Sequence, residues 1–215
     1  AFIEILKHMG YTIIIPKDQT CCSIPLLFHG AADKAFKNII ANINAIKNHD
    51  ADAILVDCST CGEALKNEYP RFIENKGYDP FEAKKISSKV MDALSFIDKN
   101  FDRLEFDSSV KEKVSVTYHA PCHTRNSFGS HKIFENLIEK LPFVNYKKTV
   151  DVDECCGGGG TFFYEYPEIS KKMVDKKIEN AKAVKASLWL TDCPVCRMNI
   201  AGNLNHNDNL QVLHP

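Results

Sequence analysis

Apolar positions along this chain fall into two kinds of run. Residues 2–9 put Phe2, Ile3, Leu6 and Met9 on one side of a turn; residues 32–48 do so with Phe36, Ile39, Ile40, Ile43 and Ile46. Residues 83–101 repeat the pattern with Ile86, Val90, Leu94, Ile97 and Phe101, and residues 168–184 with Ile169, Met173, Val174, Ile178 and Ala181. Spacings of three and four predict amphipathic helices, each with one buried stripe. Between them lie short, nearly continuous apolar runs: YTIIIP (11–16), AILVD (53–57), VSVTYH (114–119) and LWLTD (188–192). Such runs suit strands covered on both faces, the condition of a parallel sheet flanked by helices. The alternation therefore predicts an α/β fold with mostly parallel pairing. The polar stretch DRLEFDSSVKEK (102–113) interrupts both periods and is the expected boundary between a first domain, 1–105, and a second, 106–215.

Composition narrows the function classes. Hydrophobic content of 44% and charged content of 26% are those of a globular chain, and 27 basic side chains against 28 acidic ones leave no positive footprint for a nucleic acid. No apolar run reaches the roughly 20 residues that span a bilayer. Charges inside AFIEILKHMG argue against a signal peptide, and the absence of an initiator Met leaves room for residues ahead of Ala1. Nine cysteines without a leader, and odd in number, fit a reducing, cytoplasmic setting in which thiolates bind metal better than they fit a disulfide framework.

The cysteines expose a duplication. Cys21, Cys22, Cys58 and Cys61 recur as Cys155, Cys156, Cys193 and Cys196, 134 to 135 residues later. Their context recurs as well, because ADAILVDCSTCGEAL and KASLWLTDCPVCRMN both run apolar strand, Asp-Cys, two residues, Cys, then a helical pattern. Each half thus carries a double cysteine in a loop, a helix, a buried strand, and a CxxC at the end of that strand. The ninth cysteine, Cys122, follows a strand in YHAPCHTRN, 33 positions before Cys155. Projected back from Cys21, its counterpart falls about a dozen residues ahead of Ala1.

Five thiols in the second half exceed what one tetrahedral zinc ion needs, whereas an iron–sulfur cluster presents several irons. A CxxC after a strand puts Cys193 at the strand end and Cys196 in the first helical turn, where free N–H groups favour a thiolate; Pro194 suits that turn. Adjacent Cys155 and Cys156 make poor disulfide partners. The glycines that follow, Gly157 to Gly160, allow close backbone approach, positive φ and N–H donation to sulfur. A phosphate loop is the rival for such glycines, but its Lys-Ser/Thr is missing.

With C…CC(G)…CxxC present twice, the chain resembles the cysteine-rich CCG domain pair found in a subunit of heterodisulfide reductase, in the iron–sulfur subunits of glycolate oxidase and of anaerobic glycerol-3-phosphate dehydrogenase, and in related lactate-oxidising proteins. The resemblance covers essentially the whole sequence, with two departures: YHAPCH has Ala120 where the family has Asp in HDPCH, and Cys21-Cys22 is followed by Ser23 in place of glycine. It implies two CCG domains related by a pseudo-two-fold, with Cys122, Cys155, Cys156, Cys193 and Cys196 holding a non-cubane 4Fe-4S cluster. It further implies that Cys21, Cys22, Cys58 and Cys61 hold a second centre, another cluster or zinc, completed by the upstream cysteine. The implied role is an electron-transfer subunit serving 2-hydroxy acid or glycerol-3-phosphate oxidation, or heterodisulfide reduction. Its partners would be a flavoprotein dehydrogenase or oxidase subunit and an acceptor protein or quinone system, with attachment to the inner face of the membrane only through them. No flavin or nicotinamide fingerprint occurs in the chain itself. A structural zinc or assembly module is the alternative.

Residues beside the thiols complete the expectation. His119 and His123 flank Cys122 and could ligate metal, donate to sulfide or carry protons, or could simply cap or pack. His29 follows the first double cysteine with a weaker claim, and Arg125 could meet cluster charge. Phe162, Phe163, Tyr164 and Tyr166 could shield a centre from water or pack in the core. Asp57 and Asp192 read as caps or turn formers ahead of each CxxC.

Overall fold

The computed structural model describes residues 2–107 and 109–215. The chain divides between residues 107 and 108 into two compact units. Unit 1 contains α1 (Phe2–His8), α2 (Ile24–Phe28), α3 (Ala32–Lys47), β1 (Ile54–Val56), α4 (Ser59–Glu63), α5 (Tyr69–Asn75), α6 (Phe81–Lys89), β2 (Val90–Asp92) and α7 (Ala93–Lys99), with a π-helical turn, Ala64–Glu68, joining α4 to α5. Unit 2 contains β3 (Val114–Tyr118), α8 (His131–Lys140), β4 (Val144–Tyr146), α9 (Phe162–Glu165), α10 (Pro167–Ala183), β5 (Leu188–Leu190), α11 (Pro194–Asn203) and β6 (Gln211–Leu213), with a second π-helical turn, Thr124–Phe128, ahead of α8.

Both sheets are parallel and flanked by helices. Unit 2 has strand order β4-β3-β5-β6, with Val116 opposite Leu188 and Tyr118 opposite Leu190. Unit 1 has two strands, β1 and β2, with Ile54 opposite Val90. The apolar stripe of α10 behaves as its period requires at Val174, Ile178 and Ala181, which pack with Trp189 of β5 and Ile200 of α11. Ile169, at the start of that stripe, is exposed instead. Cys156, Cys193 and Cys196 belong to the same buried cluster, so the thiols are part of the core of unit 2.

Two elements differ from expectation. Residues 83–101 are not one helix: the apolar period continues through Val90, but Val90–Asp92 leaves the helix to pair with β1, and the Asp92 carboxylate accepts the Ser95 N–H at 2.9 Å to start α7. A three-residue strand breaks the backbone without disturbing an i, i+4 stripe, so periodicity alone could not reveal it. YTIIIP forms no strand; residues 12–15 have no regular secondary structure and make no backbone hydrogen bond among the described residues.

Candidate metal centre

The CxxC segments land as their spacing dictates. Cys193 is the N-cap of α11 in an extended conformation (φ −114°, ψ 117°), Pro194 occupies the first turn, and Cys196 lies in that turn. Cys58 is likewise the N-cap of α4 (φ −123°, ψ 115°), with Cys61 in its first turn. In neither case does a side chain cap the helix, so each N-cap cysteine stands at a strand-to-helix corner beside first-turn N–H groups that have no i−4 carbonyl partner. Cys122 opens the helical turn after β3.

The loop carrying Cys155 and Cys156 is pinned from three directions. The Ala120 N–H donates to the Val152 carbonyl at 2.9 Å, tying the loop to the end of β3. Asn199 on α11 donates to the Cys156 carbonyl at 2.8 Å, and Ser170 on α10 donates to the Gly157 carbonyl at 2.9 Å. Lys177, buried in α10, donates to the Asp151 carbonyl and pairs with the Asp151 carboxylate at 3.5 Å. Gly157 adopts φ +78° and its N–H points at the Cys155 sulfur, 3.3 Å away. A Cβ at Gly157 would lie 3.0 Å from the Ser170 carbonyl oxygen, and one at Gly158 would lie 3.1 Å from the Asn199 Cβ and 3.3 Å from the Cys156 sulfur. These two glycines are therefore required by space, whereas Gly159 has nothing within 4 Å.

The result is a convergence on Cys156. The sulfurs of Cys156 and Cys196 and a ring nitrogen of His119 all lie within 4.8 Å of one another, and all three residues are buried. Hydrogen bonds from Cys155 and Cys196 hold the Cys156 thiol far below its ordinary range against the opposing effect of burial, with His119 adding to the shift. Cys155 and Cys196 are pushed up in return, each chiefly by its contact with the Cys156 sulfur; Cys193 contributes to the rise of Cys196. Burial raises the Cys122 thiol, and the charges of Cys193 and Cys156 raise it further. Five thiols from three separated loops thus share one neighbourhood. Cys122 and Cys155 are on the exposed side and Cys156, Cys193 and Cys196 on the buried side.

Unit 1 repeats the arrangement with four thiols. A hydrogen bond from Cys61 draws Cys22 down to about 6, and Cys61 rises because it meets both Cys22 and Cys58. Ser23 stands at the position of Gly157 and adopts the same left-handed backbone (φ 70°, ψ 3°), its N–H 3.5 Å from the Cys21 sulfur. The departure from glycine changes the residue and keeps the turn. Asn42 donates to the Cys21 carbonyl at 3.2 Å and Tyr69 to the Cys22 carbonyl at 3.2 Å, giving this loop its own clamp.

The family model described as a cysteine-rich domain, CCG, matches residues 1–66 and 116–201. The chain belongs to the cysteine-rich CCG domain family. Lactate utilization protein A of Geobacillus thermodenitrificans is 31% identical over 216 residues, covering all of this chain and 88% of that protein. A fumarate reductase (CoM/CoB) subunit of Methanothermobacter marburgensis is 26% identical over 204 residues, covering 95% of this chain but 38% of its own length. An uncharacterized iron-sulfur protein of Methanococcus maripaludis is 28% identical over 204 residues, covering 94% and 37% respectively.

Within the CCG frame the flanking residues separate. His119 enters the thiol cluster; its ring is buried, one ring nitrogen lies within 4.8 Å of the Cys156 and Cys196 sulfurs, and neither nitrogen has a backbone or carboxylate partner among the described residues. His123 is half-buried outside the close trio, and His29 is exposed at the end of α2. Tyr164 and Tyr166 are exposed, so they shield nothing, while Phe162 and Phe163 are half-buried. Asp192 is not a cap: it is buried and accepts from Tyr118 at 3.0 Å and Thr124 at 2.5 Å, and burial raises its carboxyl. Sequence reasoning missed Lys177, Asn199 and Ser170, since a lysine, an asparagine or a serine on a helix ordinarily reads as solvated.

Proposed function

We propose that this CCG protein is an iron–sulfur electron-transfer subunit of an oxidoreductase complex, with Cys122, Cys155, Cys156, Cys193 and Cys196 as the ligands of a 4Fe-4S cluster of non-cubane type. The observation that carries the reading is the convergence of three loops on Cys156, beside a buried imidazole whose nitrogens have no hydrogen-bond partner among the described residues. A donor set of thiolates backed by backbone N–H groups fits an iron–sulfur centre, which when bound would supply one-electron transfer. The protein's part is to fix the sulfurs at the strand-to-helix corner, keep water from Cys156, Cys193 and Cys196, and leave the Cys122 and Cys155 side open. His119 would orient on the bound sulfur or metal through whichever ring nitrogen faces it.

A relative of which this chain covers 88% is named for lactate utilization, which favours oxidation of a 2-hydroxy acid over disulfide reduction. Hydride chemistry would then belong to a flavoprotein partner, and the electrons would leave to an acceptor protein or quinone system. Among the described residues no helix is long and apolar enough to cross a membrane, and a cytoplasmic subunit docked through its partners fits that. Cys21, Cys22, Cys58 and Cys61 would bind a second cluster or zinc. A zinc reading has support in unit 2 as well, because His119, Cys156 and Cys196 are compact enough for a mononuclear site.

The test is anaerobic reconstitution with iron and sulfide, followed by metal analysis, visible absorption and electron paramagnetic resonance, in the wild type and in Cys156→Ser. Stoichiometric iron and sulfide that fall in the variant support the proposal. Stoichiometric zinc with no iron uptake and no visible charge-transfer band refutes it.

A further inference from the structure

Lys177 is the one lysine or arginine buried among the described residues, and it is buried toward the thiols. It shares a face of α10 with Val174, Ile178 and Ala181, and those neighbours pack in the core cluster that holds Cys156, Cys193 and Cys196. From there the ammonium reaches the double-cysteine loop, donating to the Asp151 carbonyl and pairing with the Asp151 carboxylate at 3.5 Å. Burial draws the Lys177 pKa down; the Asp151 charge and hydrogen bond oppose it, and the charge of Cys156 opposes it further. The ammonium and the Cys156 sulfur are therefore within electrostatic reach of each other.

Unit 1 shows what holding such a loop requires. At the 135-residue spacing of the CxxC cysteines, the buried faces of α3 and α10 coincide: Ile39, Asn42 and Ile43 stand where Val174, Lys177 and Ile178 stand. Asn42 donates to the Cys21 carbonyl at 3.2 Å and to the Tyr69 hydroxyl at 2.8 Å, and accepts the Thr20 N–H at 2.7 Å. A neutral amide at the same position thus seats the equivalent loop. Burying two charges carries a desolvation cost that a neutral clamp avoids, so support of the loop does not account for an ion pair here. What sets unit 2 apart is a fifth thiol, Cys122, sharing the neighbourhood of the other four.

We infer that Lys177 is a positioning residue of the unit 2 centre: its ammonium, kept charged by Asp151, offsets the negative charge of the converging thiolates and raises the reduction potential of the cluster they hold. The inference deepens the electron-transfer reading and rests on it. The potential of an iron–sulfur centre follows its net local charge, and a nearby cation favours the state with one more electron. That electron comes from an external donor, and no bond in the protein is made or broken.

The experiment is a potentiometric titration of the anaerobically reconstituted full chain, reduced stepwise by dithionite through mediators and followed by electron paramagnetic resonance. Lys177→Met alone would strand a buried carboxylate, so both charges are removed together in Lys177→Met/Asp151→Asn. The midpoint potential of this double variant should fall by at least about 59 mV, a tenfold shift in the one-electron equilibrium. Ser170→Ala, which removes a neutral support of the same loop, should lower it by less. A double variant at the wild-type potential overturns the inference and leaves the cluster reading standing. An equal fall in Ser170→Ala also overturns it, because loosening the loop would then suffice. A wild type that takes up no iron defeats the cluster reading, and this inference with it.

Discussion

Lys177 and Asp151 form the pair on which the double-cysteine loop leans, and their removal has a calculable cost. The side chains are 1% and 2% exposed, with Nζ 3.5 Å from the carboxylate. Neither carboxylate oxygen has a hydrogen-bond partner among the described residues, so the ammonium is its compensation. At an effective dielectric of 20 two charges at that distance interact by about 5 kcal/mol, and breaking such a pair from one side costs about 3–5 kcal/mol. Lys177→Met leaves the carboxylate buried and alone. It should destabilise unit 2 by that amount and lower its melting temperature by more than about 10 °C. Asp151→Asn should be milder, because burial already lowers the Lys177 pKa and a lone lysine there can shed its proton. The double variant, left with no charge, should return to within about 2 kcal/mol of wild type. Urea unfolding followed by the fluorescence of Trp189, the single tryptophan and fully buried in unit 2, reads the effect directly. A loss under about 1 kcal/mol in Lys177→Met, or a double variant no better than it, would refute the reasoning.

The other predictions rest on the loop and on the thiols of unit 1. Gly157→Ala should cost more than about 2 kcal/mol, from the positive φ and the 3.0 Å approach to the Ser170 carbonyl, and should lower iron retention after reconstitution. Gly159→Ala, with open space around it, should change stability by less than about 0.5 kcal/mol in the same urea titration. Ser23→Gly relieves a left-handed serine and should stabilise unit 1 by about 0.5–1 kcal/mol, measurable by calorimetry. In metal-free, reduced protein the Cys22 thiol, drawn down to about 6, is protonated below that pH and a thiolate above it. Its alkylation by iodoacetamide should therefore rise through about pH 6, while Cys122, whose pKa is raised, should respond only above the ordinary thiol range. Peptide mapping by mass spectrometry checks this, and one shared pH profile for the two cysteines would contradict it.

What could be read from the sequence was what local chemistry decides. A CxxC behind an apolar run has few ways to fold, and both copies put the first cysteine at the helix N-cap and the second in the first turn. The stripes of α3 and α10 were legible because they cover long, strongly periodic segments. YTIIIP was not, since a strand exists only with a neighbour to pair with, and residues 12–15 make no backbone hydrogen bond among the described residues. Residues 83–101 failed for the opposite reason: the stripe is real, but β2 lies inside it without breaking its period. Asp192 has the composition of a cap but turns its oxygens to Tyr118 and Thr124 instead, partners that lie 74 and 68 residues away.

The comparison of Ser23 with Gly157 carries the deeper point. A sequence pattern treats serine for glycine as a lapse in the motif, yet both residues hold a left-handed turn that aims an amide at the first sulfur of the pair. What the loop conserves between the two halves is therefore a backbone shape, and glycine is the least strained of several ways to make it. The clamps around that shape differ completely: Asn42 and Tyr69 hold the carbonyls in one unit, while Asn199, Ser170 and Lys177 hold the loop in the other. Duplicated loops with the same left-handed turn beside the first sulfur and different supports point to selection on where that sulfur stands, since a loop kept only for core packing would have had no reason to rebuild its turn around a strained serine.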